Sequence, residues 1–250
     1  MNRKMKDSGI AWIGEIPSHW EICRVKSKYD FITGFTPESK NPEYYDSDNG
    51  KVWITISDLN NGYVSDSISK ISAKYITEFN PRIVPQGSLL YSFKLSIGQT
   101  AINEIDLYTN EAIASFLDNE NVCLRFLRYS CYLIEFNANT NIYGASLLNQ
   151  ELIKNALIIS PSLPEQRAIA DYLDRKCEEI DELISLQEKM IEELKAYKQS
   201  VITEAVTKGL NPDVPMKDSG IEWIGEIPEG WKVCRIKDIF IRHRYNSQRL

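Results

Sequence analysis

The sequence predicts an α/β protein in which a globular mixed α/β domain is followed by one long α-helix that forms a coiled coil. Three observations carry this prediction. Short apolar runs of strand character, separated by turn signals, fill the first 160 residues. A stretch without Gly or Pro then runs from Glu165 to Lys208 with apolar residues at heptad spacing. Finally, the segment that opens the chain returns at residues 216–231.

This repeat organises the chain. Residues 5–20 read MKDSGIAWIGEIPSHW and residues 216–231 read MKDSGIEWIGEIPEGW; over the 23 positions that start at Met5 and Met216, 16 are identical. A period of 211 residues is too long for a solenoid. It is typical of the duplication of a whole unit made of a domain and a helix, of which the chain holds one complete copy.

The domain boundaries follow from the repeat. We expect a globular domain in residues 1–160, a helical spacer in 161–210 and the truncated start of a second domain in 211–250. The roughly 35 residues after position 215 are too few to form a core of their own. This last segment is expected either to be a disordered remnant or to dock its tryptophans as the first copy docks Trp12 and Trp20.

Residues 28–160 carry the signals of the mixed α/β domain. Segment 50–59 (GKVWITISDL) alternates apolar and polar residues, and 87–93 and 155–161 are short apolar runs rich in β-formers. Segment 124–136 has apolar residues at helical spacing instead. Because Asn, Pro and Gly recur between these segments, we expect short strands joined by turns.

The helix is predicted over residues 165–207, with Pro164 suited to its start and Gly209 to its end. Steps of four and three pick out a heptad seam made of Leu173, Cys177, Ile180, Ile184, Gln187, Ile191, Leu194, Lys198, Val201 and Ala205. We predict that the residues that pair with a second helix are Leu173, Ile180, Ile184, Gln187, Ile191, Leu194 and Val201. A solvated single helix is the alternative that the apolar seam disfavours.

Composition limits the function classes. The net charge of -6 is unusual for a free-standing DNA-binding domain, so the chain either does not bind DNA, gathers its basic residues locally, or relies on a partner. The five scattered cysteines have no CxxC spacing, which favours reduced thiols in the cytoplasm. Neither a signal peptide nor a membrane-spanning run is expected.

The sequence carries none of the common catalytic motifs, which indicates that the chain is not an enzyme. The sequence has no GxxxxGK[ST] and no GxGxxG pattern for a phosphate-binding loop. Its two histidines are His19 and His243, and the repeat places Gly230 where the first copy has His19. We therefore predict no catalytic residue, no cofactor and no metal site in this chain.

An ordered set of segments resembles the DNA-specificity (S) subunits of type I restriction–modification systems. The set comprises the repeated MKDSGI.WIGEIP..W, GFTPESKNPEYY with VWITISDL, VPQGSLLYSFKLSIGQTAI, and PSLPEQRAIADYLD at the entry to the helix. The resemblance covers residues 5–250. It implies a target-recognition domain and a conserved helix, a pair that occurs twice in that family, with the two helices packed antiparallel.

The resemblance also implies the partners. Family members read the two halves of a split site in double-stranded DNA, while modification (methyltransferase) subunits methylate adenine and a restriction/motor subunit joins for cleavage. The S subunit itself performs no chemistry. This chain departs from the pattern because it holds one recognition domain. We expect two copies to pair through residues 165–207 as a homodimer that reads a palindromic split site, or the chain to pair with another half-subunit.

Two alternatives remain open, a coiled-coil scaffold that does not bind DNA and an independent methyltransferase or nuclease. If the chain reads DNA, the polar loops at 91–100 and 137–150 are the best candidates for its contact surface, although turn-forming residues in ordinary loops look the same. The candidate DNA contacts are Thr36, Lys40, Ser57, Asp58, Ser92, Lys94, Ser96, Gln99, Asn139, Thr140, Asn141, Tyr143 and Ser146. Lys40 and Lys94 are the candidates for phosphate contacts.

Overall fold

A computed structural model describes residues 4–60, 62–140 and 146–239. Its strands are β1 (Met5–Asp7), β2 (Glu15–Pro17), β3 (Glu21–Arg24), β4 (Phe31–Thr33), β5 (Lys51–Ile54), β6 (Tyr63–Val64), β7 (Lys70–Ile71), β8 (Leu89–Ser92), β9 (Thr100–Asn103), β10 (Tyr108–Thr109), β11 (Ile113–Phe116), β12 (Asn139–Thr140), β13 (Ser146–Leu147), β14 (Leu157–Ser160), β15 (Met216–Asp218) and β16 (Glu226–Pro228). Its helices are α1 (Ala73–Phe79), α2 (Leu124–Ser130), α3 (Tyr132–Glu135), α4 (Gln150–Asn155), α5 (Leu163–Lys208) and α6 (Ile236–Ile239).

The predicted α/β class is confirmed, and its centre is a five-stranded sheet in the order β4-β11-β8-β9-β6. Strands β8, β9 and β11 are buried along their whole length. Successive side chains of a strand point to opposite faces, so Leu89 and Tyr91 enter one apolar cluster and Leu90 enters another. The sheet is therefore covered on both faces, which explains its continuous apolar runs.

A smaller sheet, β10-β5-β7, carries an aromatic cluster. Trp53 of β5 and Tyr108 of β10 are buried there, and the Trp53 indole donates to the carbonyl of Phe35 at 3.0 Å. Phe35 stacks on Tyr75 of α1 with ring centroids 5.0 Å apart. This packing fixes the loop that precedes Pro42, which contains two of the candidate DNA contacts.

The sequence segments take the forms that their patterns predict, with shorter bounds. Residues 50–59 supply β5, 87–93 supply β8 and 155–161 supply β14. The helical pattern at 124–136 is divided into α2 and α3, which meet at Cys131. Strand β14 pairs antiparallel with β3, so the segment that leads into α5 is bound to the start of the domain.

The long helix is confirmed as α5, whose 46 residues span about 69 Å at 1.5 Å per residue. The chain divides into two compact units, Met1–Lys176 and Cys177–Leu250. The first turns of α5 belong to the first unit, where Ala170 is fully buried against Cys123 and Phe126. None of the helices in the described part of the chain is long and apolar enough to cross a membrane.

An ion-pair network holds these first turns to α2. The Arg125 guanidinium donates to Asp174 and to Asp171, each at 2.8 Å, and the Tyr129 hydroxyl donates to Asp174 at 2.6 Å. The Gln166 side chain adds two contacts, since it donates to the carbonyl of Pro161 at 2.9 Å and accepts from the Cys123 amide at 3.3 Å. These contacts hold the first turns of α5 to the globular domain.

The sequence repeat is also a structural repeat. Strands β15 and β16 pair in the same register as β1 and β2, with each partner displaced by 211 positions. Trp12 stacks on Phe136 with centroids 5.6 Å apart, whereas its counterpart Trp223 is 83% exposed. Segment 216–231 is therefore a folded hairpin, and its first tryptophan does not repeat the docking of Trp12.

Candidate functional site

The loop between β8 and β9, residues 93–99, is closed from within. The fully buried Ser92 hydroxyl donates to the carbonyl of Ser96 and accepts from the Gln99 amide at 3.2 Å. The Gly98 amide donates to the Ser92 carbonyl at 3.1 Å. Ser92 thus shapes the loop that presents Lys94, Ser96 and Gln99, and a contact between Ser92 itself and DNA stays a prediction.

Gly98 is required by the geometry of this loop. Its φ of +92° is a conformation that L side chains rarely adopt, and a Cβ there would lie 2.0 Å from Oε1 of Glu135. The loop therefore approaches the end of α3 closely. Burial raises the pKa of the Glu135 carboxyl above its usual value.

Glu111 joins two of the predicted site residues. The Thr36 hydroxyl donates to Oε2 of Glu111, and the Lys94 ammonium lies 3.9 Å from Oε1 of the same carboxylate. The hydrogen bond from Thr36, with the charge of Lys94 as a smaller contribution, lowers the pKa of Glu111 below its usual value. Thr36 and Lys94, which are 58 positions apart in the sequence, thus share one surface site.

Lys40 lies on the same loop as Thr36 and is exposed. The base of that loop is anchored because Pro37 is buried and its carbonyl accepts a hydrogen bond of 2.9 Å from the Tyr45 hydroxyl. Lys40 and the half-exposed Lys94 are therefore both available to an anionic ligand. Lysines in such positions bind phosphate as point charges.

Ser57 and Asp58 form a second polar cluster. The Asp58 carboxylate accepts from the Thr55 amide at 2.7 Å, from the Thr55 hydroxyl at 2.8 Å and from Ser67 at 3.2 Å. The Ser57 hydroxyl lies 2.8 Å from that of Thr55. Within the described ranges, the side-chain hydrogen bonds of Ser57 and Asp58 stay among residues 55–67, so this cluster supports the turn after β5.

The polar segment 137–150 forms a small antiparallel pair, in which Asn139 lies opposite Leu147 and Thr140 opposite Ser146. The predicted contacts Asn141 and Tyr143 lie outside the described residues. Beyond this pair, the Gln150 amide donates to Thr33 at 3.0 Å and so joins α4 to β4.

The predicted pairing face of α5 is open to solvent. The exposed fractions are between 45% and 59% for Ile180, Ile184, Ile191, Leu194 and Val201. Leu173, in the first unit, is partly buried, and Gln187 is exposed. Leucines and isoleucines at this exposure, repeated over several turns, indicate an interface.

The heptad pattern missed part of this face. Leu183, Met190 and Tyr197 are also more than half exposed, and they recur every seven residues next to the seam. That spacing is visible in the sequence and could have shown that the apolar stripe is wider than a two-residue seam. Glu111 and Arg125 were missed as well, because their partners are distant in the chain.

Metal binding has no support from the described residues, since no three His, Cys, Asp or Glu side chains among them are grouped to hold an ion. What the described surface offers is hydrogen-bond donors, exposed lysines that include Lys40 and Lys94, and an apolar helix face. Such groups bind other macromolecules.

Comparison with known proteins places this arrangement in a family. Residues 17–196 match the family model described as the type I restriction modification DNA specificity domain. The MjaIX type I restriction enzyme specificity subunit of Methanocaldococcus jannaschii is 30% identical over 91% of this chain and 53% of its own length.

Two solved structures share the fold at 21% sequence identity. The HsdS subunit from Thermoanaerobacter tengcongensis superimposes with a TM-score of 0.58 over 82% of this chain and 48% of its own length. A chain from a structure that describes complex assembly and conformational transition of the type I R-M system superimposes with a TM-score of 0.62. The superposition covers 78% of this chain and 47% of that chain. The chain thus spans about half the length of the relatives it matches. Because the family model covers well over half of its residues, the protein belongs to the family of type I restriction modification DNA specificity domains.

Proposed function

We propose that this chain is a sequence-specific DNA recognition subunit of a type I restriction–modification complex. In this role it is not catalytic, and it directs adenine methylation and restriction by modification and restriction/motor subunits in the cytoplasm. Residues 1–160 act as the target-recognition domain and 161–210 as the spacer helix. Residues 211–250 are the start of a second recognition-domain repeat.

The observation that carries the proposal is the attachment of α5 to the domain. Buried Ala170 and the Arg125 ion pairs hold the first turns of the helix to the domain, and the apolar face farther along the helix is exposed. A helix attached in this way acts as a spacer once a second helix covers that face. DNA contact is supported by the lysine and hydroxyl groups gathered around Glu111 and by the exposed Lys40.

Self-association restores two recognition domains. In an antiparallel pair of identical helices, the seam residues of the two copies face each other when position 184 of one copy lies opposite position 187 of the other. Ile180 then faces Ile191, and Cys177 faces Leu194, because the spacing of the seam is symmetric about this midpoint. Two identical domains related by a twofold axis read a palindromic site with a central gap.

Mapping of N6-methyladenine tests this function. The chain is co-expressed with a candidate modification subunit in a host without other adenine methylation, and methylated positions are read across the genome. We expect one recurring split palindrome, and no methylation from the modification subunit alone. Co-purification without any recurring motif would favour the scaffold alternative, and methylation by the purified chain alone would favour an independent methyltransferase.

A further inference from the structure

Leu95 combines a positive φ with an almost fully exposed apolar side chain. Its φ is +59°, and 96% of its side chain is exposed. The left-handed conformation costs a residue with a Cβ about 1–2 kcal/mol. Among the described residues, the other non-glycine with positive φ is Asn80, which ends α1 as asparagine commonly does. Leu95 does not end a helix, so helix capping does not explain its positive φ.

The residues around Leu95 hold it in this position. Phe93 is buried in the apolar cluster that contains Leu89 and Tyr91, and Ile97 packs against the same cluster. The buried Ser92 hydroxyl closes the loop across Ser96 and Gln99. Leu95 therefore stands between two anchored apolar residues as the exposed tip of a well-supported loop. Strain that persists in such a setting is typical of functional sites.

The surroundings of Leu95 suit DNA. The adjacent Lys94 is half exposed, and its ammonium shares Glu111 with the Thr36 hydroxyl. Proteins that bind the minor groove combine contacts from Lys, Arg, Asn or Gln with apolar side chains, Leu among them, that insert between base steps. Because this loop is already held in place, inserting Leu95 costs less conformational entropy than insertion from a mobile loop would cost.

We propose that Leu95 is an apolar wedge that enters a base step of the target DNA, with Lys94 at a neighbouring phosphate. This inference rests on the proposed DNA-recognition function and adds a residue that deforms the duplex. Since unstacking is easiest at pyrimidine–purine steps, the wedge contributes to specificity through the flexibility of the step it enters.

The test compares Leu95→Gly with Ile68→Gly in the assembled complex with the modification subunit. Ile68 is 92% exposed on another loop of the same domain and serves as the matched control. The probe is the cognate duplex with 2-aminopurine placed at successive positions of the mapped site. Flipping of the target adenine by the modification subunit raises the fluorescence at that base in every variant. Wild type and Ile68→Gly are expected to raise it at one further step of each half-site, and Leu95→Gly is expected to abolish this further rise and weaken binding roughly 10-fold or more.

Folding does not confound the comparison. Glycine accepts a φ of +59° without strain, so Leu95→Gly is expected to unfold at the same temperature as wild type or a higher one. Leu95→Met keeps an apolar tip and should retain the fluorescence signal.

Equal affinity and equal fluorescence for Leu95→Gly and wild type would overturn the wedge and leave the proposed function intact. Loss of the modification subunit from the Leu95→Gly complex would identify a protein contact instead, and absence of DNA binding by wild type would refute both proposals.

Discussion

Replacement of Ile191 with alanine measures the proposed helix pair directly. The isoleucine is 50% exposed in the single chain, so about half of its surface remains to be buried by a second helix. Removing three carbon atoms at about 0.8 kcal/mol each, halved for this exposure, gives about 1.2 kcal/mol per copy. Because the dimer contains the position twice, its dissociation free energy should fall by about 2.4 kcal/mol, roughly a 50-fold increase in Kd.

Sedimentation equilibrium of the full chain over a wide concentration range checks this value. Lys189→Ala is the matched control, because Lys189 is exposed on the same helix but outside the seam; its Kd should stay within about twofold of wild type. Far-UV circular dichroism shows whether helix content is unchanged. A Kd for Ile191→Ala equal to that of wild type would refute pairing through the seam, and a wild-type chain that stays monomeric at all concentrations would refute self-association altogether.

The helix seam, the ion pairs of Arg125 and the carboxylate of Glu165 can each be tested separately. Leu194→Cys should form a disulfide with Cys177 of a second copy under mild oxidation, and Cys177→Ser should abolish it; a disulfide that persists in the double variant would indicate parallel pairing. Arg125→Met should lower the free energy of unfolding in urea by about 1 kcal/mol, since it removes the ion pairs to Asp171 and Asp174. The His19 hydrogen bond and those of Ser162 and Trp20 lower the pKa of Glu165 to about 2, so its stabilising effect should be complete above pH 4.5 and disappear as the pH falls through about 2; acid titration of wild type against Glu165→Gln measures this window.

Patterns among residues close in sequence predicted the long helix and the repeated segment. The absence of Gly and Pro and the heptad spacing predicted α5 within two residues at its start and one at its end. The repeat predicted two equivalent segments, and β1–β2 and β15–β16 have the same register. Such features depend on residues close in sequence, whose backbone preferences and apolar spacing are visible without tertiary contacts.

Distant contacts could not be predicted in this way. The order β4-β11-β8-β9-β6 includes a parallel pair between β6 and β9, which the apolar runs alone do not specify. The joining of Thr36 to Lys94 depends on Glu111, a residue without any motif around it. Leucine has no preference for positive φ, so the conformation of Leu95 follows from the packing of its neighbours and is absent from the local pattern.

Both copies of the hairpin, β1–β2 and β15–β16, are followed by a tryptophan that contacts α5. In the first copy, His19 and the Trp20 indole reach Glu165 at 2.7 and 3.3 Å, at the start of the helix. In the second copy, Trp231 packs beside Gly209, where the helix ends, and a Cβ on that glycine would lie 3.5 Å from the indole. Each hairpin thus contacts one end of α5 through its second tryptophan. In the proposed antiparallel pair the end of one helix meets the start of the other, so the second hairpin of each copy lies next to the first hairpin of its partner. The exposed Trp223 should then lose solvent access on dimerisation, and acrylamide quenching of Trp223 fluorescence against that of a Trp223→Phe variant, above and below the dimer Kd, measures this loss.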